Sequence, residues 1–299
     1  MRAKNRAGVR ELGNLLKVHR ERAGYTLAQL GVRLGRSAAH LHRLEVGERA
    51  WTSETEVVHY LASCGASHQD VAALMKFCKE VSDVRGYWLA PSAPWMCDSL
   101  RSLVFHEARA NRLVNYQPEM IPGLLQTEPY IQALFCREDI PADVRQERVN
   151  ARLERQKILF RNRPAKFTFI MNERALRMEV GDYKVMAEQL LAMLFFTDQW
   201  NISIRIVPAA ARHRGVFDGP FSYYDFERSQ PLVYVQGVFG GLFIEDPDCL
   251  ESQRALLRQM VNVALDEEES RLLIATLADE FDRAEGTWDD TWRVAQEQL

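Results

Sequence analysis

The segment at residues 25–47, YTLAQLGVRLGRSAAHLHRLEVG, constrains the fold of this chain more than any other. Thr26 with Gln29 three residues later forms the pattern of a capping box, which marks the first turn of a helix. Gly35 predicts the end of that helix, because glycine readily takes the left-handed conformation that follows a helix. Ser37, a residue type that favours the N-cap position, predicts the start of a second helix. The segment therefore predicts two short helices joined by a tight turn.

The apolar residues of these helices fall on one face, and the second helix keeps a separate outward face. In the first helix, 26–34, leucines recur at helical spacing. In the second helix, 37–46, Leu41 and Leu44 point inward. This arrangement predicts a helix-turn-helix whose second helix enters the major groove of DNA; an ordinary helical hairpin is the alternative. On the outward face we expect base contacts from four residues: Ala38, Ala39, His42 and Arg43.

The charge of the chain is strongly polarised. Residues 1–50 hold eleven Lys and Arg against four Asp and Glu, a surplus of seven, although the whole chain has a net charge of −3. Residues 266–299 hold eleven acidic and three basic side chains. A local basic surface is what neutralisation of DNA phosphates requires. Four arginines that flank the motif are the predicted phosphate contacts: Arg10, Arg33, Arg36 and Arg49.

Helical periodicity extends on both sides of the motif and predicts a five-helix domain over residues 1–81. The three additional helices are expected at 9–22, 53–63 and 68–81. Glycine and prolines then interrupt any helical period in residues 82–97, which predicts a linker.

Residues 98–299 carry both helical and strand patterns, which predicts an α+β domain with a small mixed sheet and flanking helices. Helices are expected at 98–115, from Thr127, at 141–163, at 182–197, and from Asp266, which forms a capping box with Glu269. Strands are expected at FTFIM, ISIRIV, GPFSYYDFE, PLVYVQG and GLFIED, the last two forming a hairpin. In the last helix we expect an inner face of Leu272, Leu273, Leu277 and Phe281.

Several classes of protein are disfavoured by the sequence. No apolar run approaches the length of a membrane span, and no apolar segment follows the basic N-terminus as in a signal peptide. The five cysteines have no C-x-x-C spacing and are expected to be reduced thiols in a cytoplasmic protein. Cys78 falls in an apolar stripe, so a zinc site with His59, Cys64 and His68 is not favoured. We expect no metal, no cofactor and no enzymatic activity, because nucleophile-elbow and phosphate-loop motifs are missing.

The pattern SAAHLHRLEVG, with the helices around it, resembles the DNA-binding domain of the Cro/CI-repressor type, the large XRE-like family. The resemblance covers roughly residues 9–80. It implies sequence-specific binding to double-stranded DNA through the helix at 37–46.

The C-terminal part resembles the effector domain of actinobacterial regulators called WhiJ-like or antitoxin-like. The resemblance rests on EMIPGLLQTEPYIQAL, RLERQKIL, MNERALRMEVGDYKVMAEQLLAML and PLVYVQGVFGGLFIEDPD. It implies a transcriptional regulator that is modulated by a small acidic protein. An antitoxin-like module that neutralises or scaffolds a small protein, with DNA binding for autoregulation, is the alternative.

Two further expectations concern partners. Arginines recur at helical spacing on one face of the predicted helix at 141–163 and are candidates for binding an acidic protein or ligand: Arg145, Arg148, Arg152 and Arg155. Their alternative roles are a solvated or ion-paired surface, or binding of the chain's own acidic C-terminus. A homodimer through the domain after residue 97 is also expected, because a single recognition helix contacts too few bases for a unique site. The aromatic residues Trp200, Tyr223, Tyr224 and Phe226 are expected in the core, with a small-molecule pocket as the alternative.

Overall fold

The computed structural model describes residues 6–49, 53–81, 87–91, 98–136, 141–211, 217, 219–237 and 240–297. Contacts group the chain into two compact units, one formed by residues 1–109 with 225–252 and the other by residues 110–224 with 253–299. These bounds differ from the predicted domains, which were 1–81 and 98–299 with a linker at 82–97. That domain division stays a prediction. No helix within the described ranges is both long and apolar enough to cross a membrane.

Five helices open the first unit, as predicted. They are α1 (Ala7–Arg22), α2 (Leu27–Leu34), α3 (Ala38–Glu45), α4 (Glu54–Ser63) and α5 (His68–Val81). Thr26 and Gln29 form the expected capping box at the start of α2. Gly35 follows α2 with a φ of 63°, in the left-handed region that glycine tolerates. The turn between α2 and α3 is therefore built by the residues that predicted it.

The remainder of the chain forms strands and further helices. The strands are β1 (Tyr87–Pro91), β2 (Arg112–Gln117), β3 (Lys166–Asn172), β4 (Ile202–Val207), β5 (Phe221–Asp225), β6 (Leu232–Gly237) and β7 (Gly240–Ile244). The helices are α6 (Asp98–Glu107), α7 (Glu128–Leu134), α8 (Ala142–Gln156), α9 (Glu173–Arg177), α10 (Tyr183–Thr197), α11 (Pro247–Val263) and α12 (Glu267–Glu297). The predicted fold class, a five-helix region followed by an α+β region with a mixed sheet, is confirmed.

In the first unit, β7 lies between β1 and β6 and pairs with both in antiparallel fashion. The register sets Trp88 and Tyr234 opposite Phe243. Strand β1 was not predicted, because the prolines around it indicated a linker. It is an end strand that terminates at Pro91, a position where a missing N–H costs no ladder hydrogen bond.

In the second unit, β2, β3 and β4 run parallel, and β5 lies beside β2. The predicted β-α-β arrangement is present, because α10 lies between β3 and β4 in the chain. The buried core includes Phe167, Phe169 and Ile204 from these strands.

Three helix predictions need correction. The helix expected at 98–115 ends at Glu107, and RLVNYQ forms β2 instead, because its residues pair with β3. The helix expected at 141–163 ends at Gln156 and continues as a short 3₁₀ helix, Lys157–Phe160. In α12, Leu272 is exposed and Ile274 is buried, so the inner face is rotated from the one predicted.

Candidate DNA-binding site

Helix α3 presents the predicted outward face to solvent. Ser37 caps the helix by accepting a hydrogen bond from the backbone N–H of His40, at 3.1 Å. Leu41 and Leu44 are buried, as expected for the inner face. Four residues of α3 and its C-cap are exposed: Ala39, His42, Arg43 and Val46. Ala38 and His40 are half-buried.

A buried ion pair fixes the last turn of α3 to α1. The guanidinium of Arg20 donates two hydrogen bonds to the carboxylate of Glu45, at 2.7 and 2.8 Å, and a third to the carbonyl oxygen of Tyr25, at 2.8 Å. Tyr60 of α4 donates its hydroxyl to the same carboxylate. The carboxylate of Glu45 therefore accepts hydrogen bonds from Arg20 and from Tyr60, and this cluster orients α3 against α1 and α4.

Two glycines let α1 approach α3 at backbone distance. A Cβ atom on Gly13 would lie only 2.4 Å from the carbonyl oxygen of Leu44. Gly47, which has a φ of 74°, lies so close to Arg10 that a Cβ there would be 2.7 Å from the Cα of Arg10. Any larger side chain would push these segments apart, so α1 directly supports α3.

Three of the predicted phosphate contacts lie on the surface. Arg33 is exposed, hydrogen-bonds the hydroxyl of Tyr25 and stacks over its ring at 5.1 Å. Arg36 is exposed at the turn between α2 and α3. Arg49 is exposed after α3, with Nη1 3.4 Å from Nδ1 of His40.

Arg10 requires a correction, because it is not on this surface. Only 8% of the residue is exposed, its guanidinium lies 5.0 Å from the centre of the Phe226 ring, and burial lowers its pKa. The positive charge of Arg10 near the motif predicted a phosphate contact. Charge alone does not indicate which face of α1 is buried against other parts of the chain.

What covers the N-terminal half of α1 is a polar junction with α6 and β7. The backbone N–H of Ala7 donates to Oε1 of Glu245, which directly follows β7. Glu11 accepts a hydrogen bond from Ser102 of α6, and Nε2 of His106 lies 3.2 Å from the second oxygen of Glu11. We call this set, with Arg109 bonded to Asn14 at 2.8 Å, the α1 junction.

Four side chains of the α1 junction are buried, those of Glu11, Ser102, His106 and Glu245, and burial shifts the pKa of two of them. Burial lowers the pKa of His106 below its ordinary value of 6.5, although Glu11 beside it acts in the opposite direction. Burial raises the pKa of Glu245. These polar groups therefore interact in a low-dielectric environment, where a hydrogen bond is stronger, and its loss more costly, than at the surface.

The predicted arginine row lies on α8 in the second unit, and all four of its residues are half-buried. Arg152 donates to the side-chain oxygen of Gln126 at 2.5 Å and lies 4.9 Å from the centre of the Phe135 ring. Burial, and then the neighbouring Arg155, lower the pKa of Arg152 to about 10. Part of the row is thus engaged within the chain.

Sequence reasoning missed Gly13, Glu45 and the α1 junction. A signal existed for Glu45, because it follows Leu41 by four residues and so shares the inward face of α3. No local signal existed for Glu11 with Ser102, since these residues are far apart in the chain. Cys78 is buried, and within the described ranges no three His, Cys, Asp or Glu side chains are grouped to hold a metal.

Two family models match this chain. A helix-turn-helix domain matches residues 11–74, which contain α2, α3 and α4. A domain of unknown function, DUF5753, matches residues 100–276, more than half of the chain. No curated protein matches it. The chain therefore belongs to the family defined by this domain of unknown function, here preceded by a helix-turn-helix domain.

Proposed function

We propose that this protein is a sequence-specific transcriptional regulator that inserts α3 into the major groove of DNA. The observation that carries the proposal is the exposed outward face of α3, held in place by the buried pair of Arg20 and Glu45. A rigid helix with a free face is what base recognition requires, because the base edges accept only one geometry.

The roles of individual residues follow from their chemistry. Arg43 is the residue on this face that bonds guanine through two parallel hydrogen bonds. Ala38 and Ala39 offer methyl contacts to thymine, and His42 contacts a neighbouring base. Arg33, Arg36 and Arg49 bind phosphates and fix the register on the duplex.

Selection of DNA fragments from a random pool by the full-length protein tests the proposal. We expect a defined sequence to be enriched, and Arg43→Ala to lose that enrichment. A suitable control is Lys76→Ala, which removes one positive charge at an exposed position of α5 outside the motif. If wild-type protein enriches no sequence, the proposal is wrong.

The C-terminal domain supplies dimerisation and regulation in this proposal. Following the resemblance to WhiJ-like regulators, a small acidic protein binds the arginine row of α8, in the cytoplasm. The half-burial of these arginines supports a contact with carboxylates, because guanidinium groups bind carboxylates well when water is reduced. Arg145 and Arg148, which lie about one turn apart on α8, are the residues to test.

Purification from the native host distinguishes the regulator from the antitoxin-like alternative. An antitoxin-like protein co-purifies with a stoichiometric partner, and its DNA binding then serves autoregulation. Arg145→Glu with Arg148→Glu should release an acidic partner and leave DNA selection unchanged. If this variant still retains the partner, the partner binds a surface other than the arginine row of α8.

A further inference from the structure

Two guanidinium groups of α8 converge on the backbone of Gly123 in the second unit. A Cβ atom on Gly123 would lie 3.6 Å from Nη1 of Arg155 and 3.9 Å from both Cζ and Nε of Arg152. These are ordinary contact distances, so a methyl-sized space lies beside the glycine and next to two positive charges. We call this space, with its two arginines, the Gly123 site.

The segment that carries Gly123 is held in a fixed position. The carbonyl oxygen of Pro122 accepts a hydrogen bond from the backbone N–H of Leu125 at 2.8 Å, which closes a turn around Gly123. The side-chain amide of Gln156, on α8, donates to the carbonyl oxygens of Gly123 and Gln126, at 3.4 and 2.5 Å. The turn and α8 are therefore joined without a ligand, and a ligand would not have to bring them together.

Arg152 is held in position by groups that carry no charge. Its Nη1 donates to the side-chain oxygen of Gln126, which is buried, and its guanidinium lies 4.9 Å from the centre of the Phe135 ring. The amide of Gln126 is itself fixed, since it donates to the carbonyl oxygen of Ile121 at 2.7 Å. The bond to Gln126 uses one of the five N–H donors of Arg152, so other donors remain for a ligand.

No carboxylate neutralises Arg152 among the residues that the structure describes. Five acidic residues are described on α7, on α8 and in the segment 118–127: Glu119, Glu128, Asp143, Glu147 and Glu154. All five are exposed, and none of them forms a hydrogen bond or an ion pair with Arg152. Burial and the neighbouring Arg155 lower the pKa of Arg152, because a like charge and the loss of water both disfavour its ionised form.

We infer that the Gly123 site binds a phosphate group, free or carried by a small molecule, through hydrogen bonds from Arg152 and Arg155. The inference goes beyond the proposed function, because it concerns neither α3 nor the contact proposed for Arg145 and Arg148.

A phosphate fits this site better than a carboxylate does. The two guanidiniums reach the same point from positions about one turn apart on α8, and a tetrahedral group with about two negative charges offers separate oxygens to both. A carboxylate is planar, carries one charge and is satisfied by a single guanidinium fork. Both arginines are half-buried, so water competes less than at the surface while a ligand still enters from solvent.

Isothermal titration calorimetry of full-length protein with inorganic phosphate, at constant ionic strength, is the first test. We expect saturable binding. Arg152→Ala and Arg155→Ala should each raise the dissociation constant about ten-fold or more, since each removes charge-assisted hydrogen bonds. Arg163→Ala, which removes an exposed arginine of the same unit, is the matched control and should leave the constant unchanged. Absence of saturable binding, or equal constants for wild type and Arg152→Ala, overturns the inference.

A second variant acts on space and leaves every charge in place. Gly123→Ala puts a methyl group where a phosphate oxygen would bind, and it should raise the dissociation constant by a similar factor. That methyl group makes only ordinary contacts, and Gly123 is not left-handed, so the free energy of unfolding without phosphate should equal or exceed that of wild type. If Gly123→Ala binds phosphate as wild type does, the phosphate binds elsewhere and the inference is wrong.

Further probes define the chemistry of the ligand. Sulfate, a tetrahedral dianion, should compete with phosphate, and acetate should not. Competition by acetate at the concentrations that suffice for sulfate would overturn the assignment to phosphate. Glycerol 3-phosphate distinguishes the two sources: tighter binding of this ester than of inorganic phosphate indicates a phosphorylated small molecule, and weaker binding indicates the free ion.

These outcomes separate the inference from the proposed function. Arg43→Ala should bind phosphate as wild type does. Protein that binds phosphate at the Gly123 site but enriches no DNA sequence supports the inference and overturns the proposed function, and selection of DNA without phosphate binding does the reverse. If Arg152→Ala lowers the affinity for every DNA sequence alike, the phosphate belongs to DNA and the assignment to a small ligand is wrong.

Discussion

At the scale of single residues, the two faces of α3 have different roles: the inner face packs against the domain and the outer face is exposed. Glu45 fastens the inner face to Arg20 and Tyr60, and Arg43 on the outer face is exposed. Substitutions on the two faces should therefore have different signatures, one in stability and the other in base preference.

Arg43→Ala should weaken binding to the selected sequence by about 1–3 kcal/mol, the value of a bidentate contact to guanine. Affinity for random DNA should fall much less, because phosphate contacts dominate there. Titration of both DNAs at one salt concentration checks the ratio, with Lys76→Ala as control. An unchanged ratio would remove Arg43 from the base-contacting set.

Arg36→Ala should act on every DNA sequence alike. A phosphate contact releases a counterion, so its loss should reduce the slope of log affinity against log salt by about 0.9. Measurement of the slope from low to moderate salt, on selected and random DNA, provides the check. A slope equal to that of wild type would mean that Arg36 faces solvent in the complex.

Glu45→Gln should loosen α3 without changing any exposed residue. Removal of the carboxylate leaves Arg20 buried without its counter-charge, at a cost of about 3–5 kcal/mol. Hydrogen exchange of the α3 amides in full-length protein should report an opening free energy lowered by that amount. Glu48→Gln, on an exposed neighbour, is the control; equal protection in the two variants would contradict the role given to Glu45.

At the scale of elements, the α1 junction is the feature that separates this molecule from an isolated helix-turn-helix. Helix α1 contacts α3 through glycine on one side and holds α6 and β7 through hydrogen bonds on the other. Movement of α6 or of the segment that follows β7 should therefore shift α1, which supports α3.

The free energy of unfolding should depend on His106 at mildly acidic pH. The unfolded chain binds a proton near pH 6.5, and the folded chain does so only at a lower pH because burial lowers the pKa of His106. Between these values the unfolded state binds more protons. Stability should therefore fall with decreasing pH, by up to about 1.4 kcal/mol per unit.

Comparison of wild type with His106→Gln across this range isolates the effect, since the other groups are shared. The two stability curves should converge as pH falls below 6.5. Parallel curves for His106→Gln would contradict the assigned burial effect.

Local chemistry explains which elements were predictable. Thr26, Gly35 and Ser37 specify the turn between α2 and α3 through their own backbone and cap bonds, so the sequence predicts it well. Strand β2 was mistaken for helix, because Leu113 and Val114 are apolar in either period and only pairing with β3 decides between them. Arg10 was misassigned for a similar reason: its cover, Phe226, lies far away in the chain.

At the scale of the whole molecule, two recognition helices should act together. Full-length protein should select two inverted half-sites separated by about 34–36 Å, one turn of DNA. Footprinting should show protection of both half-sites by wild-type protein. Enrichment of one asymmetric site would contradict this arrangement.

The α1 junction has a consequence for the evolution and engineering of this family. A helix-turn-helix exchanged as a cassette that ends at residue 81 would bring an α1 without partners for Ser102, His106 and Glu245. Chimeric regulators made this way should be less stable unless those three positions are exchanged too, because Glu11 would be buried without its partners. If the proposed function holds, new DNA specificities are therefore more accessible through point changes at Ala39, His42 and Arg43, which are exposed.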